Sequence, residues 1–90
     1  MGTRRERKRT SHLYLRVLHP ERGEDPAHDE HIIRAALAGD QRWSMTPRFE
    51  RHERGGYSIW VAFERDRTLE SLVIREVSSR LAEIGFGLAM

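Results

Sequence analysis

Five histidines, fourteen carboxylates and no cysteine set the chemistry open to this chain. His28 and His31, in the run HDEH, stand one helical turn apart, a spacing that a metal accepts when further ligands converge on it. His12, His19 and His52 fall in other segments. The ligand set is therefore incomplete, and these histidines read as solvated side chains. Asp29 and Glu30 suit the positive end of a helix dipole. Glu50, Glu53, Glu64 and Asp66 alternate with Arg48, Arg51, Arg54, Arg65 and Arg67. That pattern reads as charge pairing across neighbouring strands, not as a general acid–base pair. Without cysteine there is no disulfide, thiolate metal site or thiol nucleophile. No serine sits in a nucleophile elbow, and no glycine-rich loop opens a helix for phosphate. The expectation is a non-enzymatic chain with no catalytic residue, cofactor or metal.

Binding is what remains. In GGYSIWVAFE, residues 55–64, Tyr57, Ile59, Val61 and Phe63 alternate with Ser58, Trp60 and Ala62. The first set reads as the buried face of a strand, which leaves a tryptophan on the other face. HLYLRVLH, residues 12–19, alternates in the same way, with Leu13, Leu15 and Val17 facing inwards and Tyr14 and Arg16 outwards. An aromatic exposed on each of two strands is a contact waiting for something to touch.

The elements that position these residues follow from local signals. Pro20 and the polar run ERGED end the first strand. Asp25-Pro26 marks a helix start, Ile33, Ala36 and Leu37 share its apolar face, and Gly39 ends it. RWSMTPRFERHE alternates again, but Pro47 has no N–H to donate, so this strand belongs at an edge or contains a bulge. Gly55-Gly56 supplies a turn into the next strand. Thr68 is placed to cap a second helix whose Leu69, Leu72, Val73, Val77, Leu81 and Ile84 recur as one buried stripe. Gly85 ends it, and FGLAM leaves room for a short closing strand.

The order β-α-β-β-α-β in a chain of 90 residues predicts an α+β fold, a ferredoxin-like sandwich. Two helices would cover one face of a four-stranded antiparallel sheet, with the first and third strands central. The expected core is Leu13, Leu15, Val17, Phe49, Tyr57, Ile59, Val61 and Phe63. The uncovered face would show Tyr14, Arg16, Arg48, Ser58, Trp60 and Ala62, and the first five are the candidate partner-binding residues.

Three occupants of that face follow. An exposed aromatic pair flanked by arginine has the composition of a protein-binding surface, and the partner could be a second copy, giving a homodimer. A nucleic-acid base could stack there instead. Neighbouring side chains or the N-terminal arm could also simply cover it. LYLRVL resembles the shorter motif of the RNA-recognition-motif family, departing at Val17, where that family favours asparagine. GYSIWVAF matches the longer motif only at Trp60, Val61 and Phe63. Gly56 replaces its leading basic residue and Ser58 its first stacking aromatic, so no family is claimed.

Charge ranks these occupants. Arg4, Arg5, Arg7, Lys8 and Arg9 against Glu6 make the first nine residues +4, so a chain of net +2 leaves −2 for the rest. Only this arm attracts a polyanion, and its binding would be weak, non-specific and salt-dependent. The division expected is a basic, flexible arm over residues 1–11 and a single domain over 12–90. No apolar run is long enough to span a membrane, and no signal-peptide pattern follows the basic start. A cytoplasmic, regulatory or protein-interaction module is the leading expectation. A single-stranded RNA binder using Tyr14, Trp60 and the arm is the alternative.

Overall fold

Strand β1 (Thr10–Leu18) opens the fold and begins earlier than the expected His12, so Thr10 and Ser11 belong to the sheet, not to an arm. The structure is a computed structural model that describes residues 10–89. The arm residues Arg4, Arg5, Arg7, Lys8 and Arg9 lie outside the described residues. Helix α1 (Pro26–Leu37), β2 (Trp43–Arg51), β3 (Tyr57–Glu64), α2 (Glu70–Glu83) and β4 (Gly87–Ala89) follow. The strands form one open antiparallel sheet in the order β2-β3-β1-β4, an α+β fold with β1 and β3 central.

The period-two pattern places the core. Leu15 faces Ile59 and Val17 faces Tyr57 across the β1–β3 ladder, and all four are buried. They join Val61 and Phe63, Ile33 and Leu37 of α1, and Val73, Val77 and Leu81 of α2 in one cluster. Both helices therefore pack on the face these alternate positions share. Each fully buried aliphatic side chain adds about 1.5–3 kcal/mol relative to exposure. Leu13 and Phe49, expected in the core, are only half-buried and pack against its margin. Trp43 and Phe86 join it instead.

The start of α1 falls where expected, and that of α2 does not. Asp25 occupies the N-cap of α1 with Pro26 just inside, yet its side chain makes no capping bond. The N-cap of α2 is Leu69, not Thr68. Thr68 is buried, its N–H donating to the Glu64 carbonyl in the preceding turn. Leu69 therefore points to solvent, 72% exposed, and leaves the buried stripe to Val73, Val77 and Leu81. Among the described residues, no helix is long and apolar enough to cross a membrane.

The Pro47 expectation is met twice over. β2 is an edge strand, and its register shifts between Met45, opposite Val61, and Phe49, opposite Ile59. Thr46, Pro47 and Arg48 thus stand against Trp60 alone. The slip is even, so Phe49 returns to the core side, as a period of two requires. Carbonyls freed from the ladder need donors, and Arg34 of α1 supplies them. Its Nη1 donates to the Thr46 carbonyl at 2.9 Å and its Nη2 to that of Pro47 at 2.7 Å. Glu30 holds the same guanidinium through Nε at 2.8 Å.

Candidate partner-binding face

Tyr14 and Trp60 are direct partners in the β1–β3 register, on the sheet face that the helices leave uncovered. Their ring centroids lie 5.3 Å apart at a tilt of 55°. Tyr14 is 47% exposed and Trp60 half-buried. Arg48 covers part of Trp60, its guanidinium carbon 4.4 Å from the centre of the ring. It lies there because the bulge gives β2 extra residues opposite Trp60. Glu50 accepts from Arg48 Nε at 2.9 Å and steadies that pose. Tyr14, Trp60 and Arg48 make one platform of two aromatic rings with a cation over the second.

The other two candidates serve the fold. Ser58 is only 6% exposed, because the Tyr14 hydroxyl lies over it with 3.0 Å between the oxygens. Ser58, expected to show on this face, is covered by its diagonal neighbour. Arg16 turns to the β2–β3 connection, where Nε donates to the Gly55 carbonyl at 2.9 Å and Nη2 to that of Arg54 at 2.7 Å. Gly56 makes that close approach possible. Its φ is +81°, and a Cβ there would collide with the Val17 carbonyl oxygen. Arg16 is thus a clasp between turn and sheet, and Tyr14, Trp60 and Arg48 are what the face presents.

Two ionic clusters, one built on a buried carboxylate and one on a half-buried one, were not legible in the sequence. Asp29, assigned there to a helix dipole, is fully buried at the start of α1. Its carboxylate accepts from Arg22 Nη2 at 2.6 Å, from the Asp25 N–H at 3.1 Å and from the Tyr57 hydroxyl. Burial pushes its pKa up, but bonds from Arg22, Tyr57 and Asp25 more than offset that and hold it below the usual carboxylate value. Burial, then the adjoining carboxylate, raises Tyr57 to about 12. The available signal was Tyr57 itself, since a buried phenol needs a hydrogen-bond partner.

Asp40 organises the second cluster. It accepts from the Arg42 side chain and N–H and from Arg80 Nη2 at 2.9 Å. Arg42 and Arg80 lie 5.1 and 5.2 Å from the centre of the Trp43 ring, whose Nε1 donates to the Leu37 carbonyl. Bonds from Arg42 lower Asp40 to about 2. Both clusters are internally satisfied and tie loops to the core. Trp43 is structural, and Trp60 faces outwards.

His28 and His31 are exposed on α1. Among the described residues, no group of three histidine, aspartate or glutamate side chains is placed to hold a metal. Compared with known proteins, the chain matches no family model, no curated protein and no solved structure, so a functional reading rests on this geometry.

Proposed function

We propose that this chain is a non-enzymatic protein-interaction module of ferredoxin-like type, acting in the cytoplasm and binding a protein partner through the open sheet face. One observation carries the reading: an aromatic pair and an arginine form a single platform at the centre of the face that the helices do not cover. Tyrosine, tryptophan and arginine dominate binding hot spots because each brings large contact area and a polar end. The partner this platform fits offers an apolar or aromatic side chain to Tyr14 and a carboxylate or carbonyl to Arg48.

The single-stranded RNA alternative ranks lower on the same geometry. Base readers stack bases on free aromatic faces. Here Arg48 lies over Trp60, Ser58 stands where a further aromatic would help, and residues beyond the arm carry net −2. A photo-crosslinking residue in place of Tyr14, activated in cells, tests the choice. The interaction reading expects protein adducts that disappear with Trp60→Ala. Adducts to RNA, abolished by ribonuclease, would favour the alternative.

A further inference from the structure

The two edges of the sheet are finished differently. The β2 edge carries the devices that keep strands from pairing with other chains: a proline, a bulge and the charges of Arg48, Glu50 and Arg51. Two of its carbonyls are further taken by Arg34. At the other side β4 is only Gly87–Ala89 and pairs with Arg16, Val17 and Leu18. β1 pairs with β3 from Thr10 to Val17. Among the described residues, then, no strand pairs with the outer side of β1 from Thr10 to Leu15. That stretch, TSHLYL, is regular, uncharged and free of proline.

We infer that this open part of β1 is a homotypic docking edge, at which β1 of a second copy adds antiparallel and joins two sheets into one. Geometry and chemistry both select a second copy. A two-fold axis normal to the sheet keeps each residue on its own face, so residues opposite one another must lie on the same face. Two centres keep the pairing within Thr10–Leu15: His12 and Leu13. Centring on His12 sets imidazole against imidazole and Leu13 against Ser11. Centring on Leu13 sets Leu13 against Leu13 and Leu15 against Ser11, and this completes the cover of a half-buried leucine at the core margin. It also sets His12 beside the second copy's Tyr14, bringing the two open faces into continuity. Pairing stops beyond Leu15, where Ala89 already takes the outer side of Arg16. An uncharged segment meets its own copy without like-charge repulsion.

Tyr14 lies in both, but the edge acts through the β1 backbone and the platform through outward side chains, so either can fail alone. Sedimentation of the full chain over a range of concentrations is expected to show a reversible dimer. Because the chain has no cysteine, Leu13→Cys is a unique reporter. Opposed Cα atoms stand about 4.5–5.5 Å apart in an antiparallel pair, within disulfide reach. Mild oxidation should therefore link Leu13→Cys copies. His12→Cys, diagonal to itself at about 7–8 Å, should remain largely unlinked. Ser11→Lys, which sets a charge against Leu15 of the other copy, should give a folded monomer, and it carries the test if the Leu13 variant does not fold. Trp60→Ala should leave the dimer intact. A chain monomeric at every concentration, or a dimer in which Leu13→Cys links no faster than His12→Cys or that survives Ser11→Lys, overturns the inference.

Discussion

Arg48 lies over Trp60 because β2 loses register between Met45 and Phe49, which leaves three residues opposite one. A proline that cannot join the ladder thus decides how the central tryptophan of the open face is presented.

Arg48→Ala should uncover Trp60 while leaving the fold in place. An exposed or partly exposed cation–π contact contributes about 0.5–1 kcal/mol, so the loss of stability should be of that order. Acrylamide quenching of tryptophan fluorescence should rise. Trp43 is buried and contributes little to that change. Unchanged quenching would mean that Arg48 does not shield Trp60 in solution.

Arg34→Ala removes the donors from the Thr46 and Pro47 carbonyls. Hydrogen bonds to charged groups contribute about 1.5–3 kcal/mol, and the variant should lose stability in that range. Amide exchange should quicken in β2 around the bulge and change little in β1. Uniform quickening through the sheet would contradict a local role.

The Asp29–Tyr57 pair makes a prediction that runs oppositely at the two ends of the pH scale. Asp29 lies below its ordinary value when folded, so its contribution is present above the unfolded pKa of about 3.9 and is lost as pH falls through the folded value. Asp40, at about 2, adds a loss of the same sign in acid. Tyr57 is raised to about 12, so stability should decline as pH rises from about 10 through that value. Phenolate absorbance should show one late-titrating tyrosine, absent in Tyr57→Phe. Asp29→Ala, which takes the acceptor from the buried Tyr57 hydroxyl, should cost about 1–3 kcal/mol in chemical denaturation.

Element order, the Val73/Val77/Leu81 stripe, the edge position of β2 and the Tyr14–Trp60 pairing were all legible, because each rests on a local period or a single proline. What escaped depended on residues far apart in sequence. That Asp29 is buried follows only when Tyr57 and Arg22 meet it across the helix start. Ser58 and Arg16 had the right parity for the open face. Parity, however, cannot show that Tyr14 leans over the one or that the Gly55-Gly56 turn draws in the other. Leu69 matched the helical period but sits at the cap, where the period has not yet begun.

Val77→Asp should unfold the protein, because Val77 is fully buried between helix and sheet. An unpaired charge there costs several kcal/mol, comparable to the whole stability of a small domain. Circular dichroism at neutral pH would show the loss, and a cooperative thermal transition would contradict the packing described.

Whether the platform of Tyr14, Trp60 and Arg48 is a protein-binding surface can be read from the yield of protein adducts to a photo-crosslinker at position 14. That yield should be compared between the parent chain and Trp60→Ala and Arg48→Ala variants whose thermal transitions show them folded. A protein-binding platform should give a discrete adduct to another protein in the parent, distinct from any adduct to a second copy, and lose it in both variants. An adduct to another protein that persists in both, or one that proves to be RNA, would contradict it.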